Sequence, residues 1–144
     1  MKLLPYGPKG QEKPGLLDKD GQIRDLSGIV KDIDGKVLTD LSAIRAAKID
    51  SLPVVDKGVR IAEPVGKVGK FLCIGLNYSD HAAESGMAEP SEPIIFTKAT
   101  SAIIGPNDDV YLPPTAKKGD WEVELGIVIG KEARYVSKET ALDY

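Results

Sequence analysis

Two glutamates separated by one residue, Glu122 and Glu124, lie in the run Trp121-Glu122-Val123-Glu124-Leu125-Gly126-Ile127-Val128-Ile129. On a β-strand, side chains alternate faces, so Trp121, Val123, Leu125, Ile127 and Ile129 share one side. Glu122 and Glu124 share the other, with Cα atoms roughly 6.5–7 Å apart. Paired carboxylates on a partly covered face repel one another unless a cation sits between them. Carboxylate oxygens are hard donors, suited to magnesium, manganese or calcium rather than zinc. The same pattern also describes an edge strand with two solvated glutamates.

The second group is Asp80-His81-Ala82-Ala83-Glu84, which holds the chain's only histidine. At i, i+3 on a helix the His81 ring and the Glu84 carboxylate share a face. A carboxylate bonded to one ring nitrogen fixes the tautomer and leaves the other nitrogen free to take a proton. A solvated surface pair is the plainer reading of the same spacing. Lys98 ends the apolar run Ile94-Ile95-Phe96 and could hold a substrate carboxylate or an enolate oxygen; an exposed strand-end lysine fits equally well.

The elements that must place these residues are short. Gly15-Leu16-Leu17 and Gln22-Ile23-Arg24 flank the turn Asp18-Lys19-Asp20-Gly21, which reads as a hairpin. Its alternating aspartates lack the remaining ligands of a calcium loop, so a plain turn is expected. A second turn, Asp32-Ile33-Asp34-Gly35, leads into Lys36-Val37-Leu38. Asp40 is placed to cap a helix over Leu41 to Ile49. A connector rich in Pro and Gly spans 50–68, giving domains at 1–65 and 66–144. Beyond it, Lys70 to Ile74 reads as a strand, Ser79 to Ser85 as a helix with Ser79 as cap and Gly86 after its end, and Pro93 to Lys98 as a strand. Ser101 to Ile104 is a further candidate strand, and Trp121 to Ile129 is the most regular strand pattern in the chain. The fold class expected is mostly β with short helices (α+β).

Composition narrows the function classes. A hydrophobic content of 42% with 28% charged residues is that of a folded chain. A net charge of −3 with scattered basic residues argues against nucleic-acid binding through phosphate neutralisation. The lone Cys73 allows no intrachain disulfide and sits in an apolar run as a buried, inert thiol. The N-terminus lacks the apolar stretch of a signal peptide, and no window approaches a membrane span, so a cytoplasmic location is expected. The last residues, Ser137 to Tyr144, start like a capped helix and stop after about two turns, as though the chain continued.

Taken in order, Lys70-Phe71-Leu72-Cys73-Ile74-Gly75-Leu76-Asn77-Tyr78-Ser79-Asp80-His81-Ala82-Ala83-Glu84, Glu89-Pro90-Ser91-Glu92-Pro93-Ile94-Ile95-Phe96-Thr97-Lys98, Gly105-Pro106-Asn107-Asp108-Asp109 and Asp120-Trp121-Glu122-Val123-Glu124-Leu125-Gly126 closely resemble the fumarylacetoacetate hydrolase family. Residues 1–65 resemble the small β-rich N-terminal domain of its bacterial members of the ureidoglycolate lyase or 2-hydroxyhepta-2,4-diene-1,7-dioate isomerase type. The resemblance implies that residues 66–144 begin a mixed β-sandwich roll, usually homodimeric. It implies that Glu122 and Glu124 are magnesium ligands, with manganese or calcium as substitutes. It implies that His81 and Glu84 form a lid-borne acid–base dyad and that Lys98 lies near a small carboxylate substrate. The family's third ligand, an aspartate, and a further lysine would lie beyond Tyr144. Leu76 stands where many acylpyruvate hydrolases carry Arg. The activity implied is a metal-dependent lyase or hydrolase acting on a 2-oxo or 2-hydroxy carboxylate. Ureidoglycolate lyase comes first, with acylpyruvate hydrolase or the isomerase as alternatives. A non-catalytic β-rich binding module is the rival from another class.

Overall fold

The computed structural model describes all of Met1–Tyr144. The chain is α+β, mostly strand and irregular chain with short helices. It divides into two compact units, one made of Met1–Lys67 and Gly105–Tyr144, the other of Val68–Ile104.

The first unit is built on an antiparallel meander of β1 (Lys2–Tyr6), β2 (Lys13–Leu17) and β3 (Ile23–Asp25). Lys2 pairs with Leu17 and Tyr6 with Lys13, while Leu17 pairs with Ile23 across the second turn. Pro5 and Pro14 face each other, so neither lacks an amide that the ladder would need elsewhere; their carbonyls accept from Ala62 and Leu26 instead. Gly15 is required by packing: a Cβ there would stand 2.9 Å from Tyr6 Cδ1 and 3.0 Å from Ile23 Cγ2. The β2–β3 turn satisfies itself, because Asp18 accepts from the amides of Asp20 and Gln22 and from Arg24 Nε at 2.7 Å. Its carboxyl titrates below the usual range, chiefly because of Arg24. That leaves a structural turn, not an ion loop.

Leu16, Leu26, Ile33 and Ile44 form the core under this meander, with Leu3, Ile29, Val30 and Val37 packed around them. Tyr6 is also buried, and this burial, followed by the charge of Asp25, pushes its phenol up to about 12. The helical part of the unit differs from its sequence reading. Helix α1 (Gly35–Thr39) occupies the Lys36-Val37-Leu38 segment, because the Asp34 side chain accepts from Val37 N and caps a helix there. Asp40 accepts from Ser42 N, but α2 (Ser42–Arg45) lasts only four residues, and a separate 3₁₀ turn follows at Ile49–Ser51. The expected continuous helix over 41–49 is therefore broken. Only Ile44 of α2 reaches the core, too small an apolar stripe to propagate a longer helix.

The connector is tied back to the meander by isolated bridges, Tyr6 to Ile61 and Arg24 to Val54, and to the N-terminal end of α1 by a bridge from Asp34 to Gly66. Arg60 fixes residues 105–108 to the same unit. Its guanidinium donates to both Asp108 oxygens, at 2.8 and 2.6 Å, and to Glu12 at 3.1 Å. Asp108 in turn accepts from Gly105 N and closes the turn. Lys67, with φ of 55°, pairs with Asp34 at 3.1 Å and Asp32 at 3.3 Å.

The second unit holds a two-stranded antiparallel ladder, β4 (Leu72–Gly75) with β5 (Ile94–Thr97), and helix α3 (Ser79–Glu84) between them in sequence. Lys98 N donates to Phe71 O and extends the ladder by one bond. Tyr78, not Ser79, is the N-cap of α3 and makes no side-chain cap bond. Gly86 has the positive φ of 65° expected just past a helix end. Cys73 is half-buried rather than enclosed, because two paired strands alone cannot cover it. Residues 100–102 form a 3₁₀ turn where a strand was expected.

The largest departure concerns residues 121–129, none of which belongs to a strand. Alternation supplies a preference for extended chain, but a strand exists only where a neighbour offers ladder partners. Neither sheet pairs with this segment. At the end of the chain, Lys138–Asp143 is 3₁₀, and the Tyr144 carbonyl accepts from Gly130 N at 2.7 Å.

Candidate functional site

The candidate groups fall in both units, and each unit is taken separately. In the second, β4 runs into Leu76, a non-glycine residue at φ of 50°, before Asn77 and Tyr78 lead into α3. This left-handed turn redirects the chain immediately after the strand. Helix α3 buries Ala82 and leaves His81 and Glu84 exposed. Their i, i+3 spacing places them on neighbouring turns, but the ring and the carboxylate form no ion pair. The His81 amide is held by the Asp80 side chain at 2.9 Å. Lys98 follows β5 directly, with its backbone fixed by Phe71 and its side chain in solvent.

In the first unit, Glu122 and Glu124 are exposed on the irregular segment, just after Asp120, whose carboxylate accepts from Trp121 N. Two carboxylates from one segment have the right donor chemistry for magnesium, which keeps several waters and takes only one or two protein carboxylates. No group of three or more His, Cys, Asp or Glu gathers that could cage a metal within the chain. The donor chemistry of Glu122 and Glu124 is that of a hard-cation ligand pair.

Sequence reasoning missed the ion-pair network on Arg60. No local signal marks it, because Asp108 and Glu12 each lie 48 residues away in sequence. Hydrogen bonding from Arg60 holds the Asp108 carboxyl at about 2 and raises the already high Arg60 value further. Beside it, a shallow polar cavity of about 300 Å³ is lined by Glu12, Asp32, Glu63 and Lys67 among others. Lys67 is committed to Asp32 and Asp34 within that wall, and Asp34 titrates low chiefly because its carboxylate caps α1.

The stretch that carries His81, Glu84, Lys98, Glu122 and Glu124 is one with a recognisable ancestry. Residues 70–144 match the domain described as Fumarylacetoacetate (FAA) hydrolase C-terminal, and the chain belongs to that family. Its members are typically dependent on a divalent metal. Among individual proteins, the chain is 57% identical over 146 residues to a putative hydrolase of Burkholderia ambifaria (strain MC40-6). It is likewise 57% identical to a putative hydrolase of Burkholderia multivorans. In both cases the match covers 100% of this chain and 52% of the relative, so the chain spans about half the length of these proteins. The crystal structure of a putative HpcE protein from Mycobacterium smegmatis superposes with a TM-score of 0.57 and 27% identity, over 76% of this chain and 40% of that one. No helix is long and apolar enough to cross a membrane.

Proposed function

We propose that this chain carries the His–Glu dyad and two of the metal-binding carboxylates of a magnesium-dependent hydrolase or lyase acting on a small 2-oxo or 2-hydroxy carboxylate. The observation that carries the reading is the family match over 70–144, the stretch in which all five candidate residues lie. The relatives' description as hydrolases supports the reaction class. Ureidoglycolate, cleaved to glyoxylate and urea, is the first substrate proposed, with an acylpyruvate or 2-hydroxyhepta-2,4-diene-1,7-dioate next. The working enzyme is proposed as a cytoplasmic homodimer.

Glu122 and Glu124 would hold the cation, their oxygens being the hard donors that magnesium or manganese selects. When bound, the ion supplies charge stabilisation to an oxygen that becomes negative as a C–N or C–C bond breaks. His81 Nε2 or Nδ1 takes a proton from water or substrate and returns it to the leaving group. Glu84, one turn along α3, would orient the imidazole and stabilise its charged form once the two side chains close on one another, since they form no ion pair in this structure. Lys98 offers its ammonium to a substrate carboxylate at the end of β5.

Manganese titration of the purified chain tests the metal half of the reading. Glu122→Gln and Glu124→Gln should each weaken binding by at least tenfold, and the chain's other acidic clusters should not compensate. A non-catalytic β-rich module would bind manganese no differently after either change. Release of glyoxylate from ureidoglycolate, or of pyruvate from an acylpyruvate, then separates the substrates.

A further inference from the structure

Two turns of the first unit hold the same dipeptide: Asp20-Gly21 lies between β2 and β3, and Asp34-Gly35 opens α1. An aspartyl–glycyl step is open to rearrangement, because glycine has no side chain to shield its amide nitrogen from the neighbouring carboxyl carbon. The fold treats the two steps differently. Both Asp34 oxygens are engaged, one accepting from Val37 N at 3.2 Å and the other from Lys67 Nζ at 3.1 Å. Turning that carboxyl onto the Gly35 amide would uncap α1 and break an ion pair. Asp20 carries no such load. In its turn the Asp18 carboxylate takes the side-chain bonds, from the amides of Asp20 and Gln22 and from Arg24. The Asp20 carboxylate is left in solvent, and Gly21 is exposed with it. A Cβ on Gly21 would meet nothing within 4 Å, and the bond its amide makes, to Asp18 O at 3.2 Å, is the longest in the turn.

We propose that Asp20 is a site of spontaneous isoaspartate formation, and that Asp34 is spared by the contacts its carboxylate makes. In the first step the Gly21 nitrogen bonds to Asp20 Cγ; the amide proton and a carboxyl hydroxyl leave together as water, and a cyclic imide remains. In the second step water adds to the Asp20 main-chain carbonyl carbon and the bond from that carbon to the Gly21 nitrogen breaks. The chain then runs through the Asp20 side chain. One water is lost and one regained, so the mass is unchanged and no oxidant or cofactor takes part. Exposed turn tips of small polar residues open locally at little cost, which supplies the freedom the attack needs. The product has one more backbone carbon between Asp20 and Gly21. It lengthens a turn closed by the Asp18–Gln22 and Gly21–Asp18 bonds, directly beside the Leu17–Ile23 pair. It also presents a free α-carboxylate, the group that isoaspartyl-directed carboxyl methyltransferases esterify, so the rearranged chain becomes a substrate for that class of enzyme. None of this depends on the metal reading.

The test ages the 144-residue chain in warm neutral buffer, folded and in guanidinium chloride, and labels it with an isoaspartyl methyltransferase and a radioactive methyl donor. Peptide mapping then assigns the label to a position. In the folded chain, label at Asp20 should exceed label at Asp34 by roughly tenfold or more, the factor that charge-assisted hydrogen bonds to Asp34 confer. In denaturant the two positions should label alike, because the contacts that separate them are gone. Asp20→Glu, which would have to close a larger ring, should remove the Asp20 label. Asp20→Asn, which sheds ammonia more readily than an acid sheds water, should raise it. Lys67→Met should raise the label at Asp34 by freeing one oxygen. Amide exchange across Lys2–Asp25 before ageing establishes that each variant still folds. The proposal is overturned by equal labelling of the two positions in the folded chain, by the absence of label at Asp20, or by an Asp34 label that Lys67→Met leaves unchanged.

Discussion

Replacing Leu26 with alanine probes the small core that carries the first unit. Leu26 is fully buried among Leu16, Ile33 and Ile44, and its backbone is used three times: its amide donates to Pro14 O and its carbonyl accepts from Ile29 and Val30. The substitution removes about three carbon groups, and at ~0.8 kcal/mol each the transfer loss is roughly 2.4 kcal/mol. The cavity left behind adds to this, and buried Leu→Ala changes fall in the range of roughly 2–5 kcal/mol. With so few residues to collapse around the gap, about 3 kcal/mol is expected. That is a large part of the ~5–15 kcal/mol that holds an ordinary domain. Urea unfolding gives the total, and exchange at the Ile29 and Val30 amides localises it, because those protons report on the turn that Leu26 anchors. Leu142→Ala is the control, the same chemistry at a position 99% exposed, with an expected change within about 0.5 kcal/mol. Equal stability of the two variants would refute the placement of the core.

The Asp108 carboxyl should titrate at about 2, well below the ordinary carboxylate value of 3.8, chiefly through its bond to Arg60. Its contribution to stability is therefore fully present above 3.8 and lost as pH falls through about 2. Carbon-13 titration should find that low midpoint and its return toward 3.8 in Arg60→Met; an ordinary midpoint in the parent chain contradicts the ion pair. Gly105→Ala should destabilise by about 1–3 kcal/mol, because a Cβ would overlap the Ile61 carbonyl and stand 3.2 Å from Ala62 Cα. Gly28→Ala, with nothing within 4 Å, should change stability by no more than about 1 kcal/mol in the same unfolding assay.

Local chemistry was legible in the sequence, and long-range pairing was not. The hairpin at Asp18–Gly21, the strand at Ile94–Thr97 and the glycine after α3 each follow from residues a few positions apart. The helix over 36–38 was concealed because Lys36-Val37-Leu38 suits a strand as well, and one cap bond from Asp34 decided the matter. Residues 121–129 show the reverse case, in which a strong β pattern goes unpaired because a ladder is a property of two segments. Of the candidate site, the family was readable from the sequence, and the family match covers the stretch that holds the candidate residues. The separation of the dyad from an ion pair was not, since i, i+3 spacing permits contact without imposing it.

Leu76 carries a consequence for what this position can become. A left-handed backbone costs a residue with a Cβ about 1 kcal/mol, and only glycine, with asparagine less freely, escapes that penalty. The join between β4 and α3 is thus held by a side chain that resists its own shape. Exchange for valine or isoleucine should be selected against on backbone grounds alone, and glycine would relieve the strain while loosening the direction in which His81 leaves the sheet. Any substitution at this position therefore has to satisfy a torsion angle before anything else.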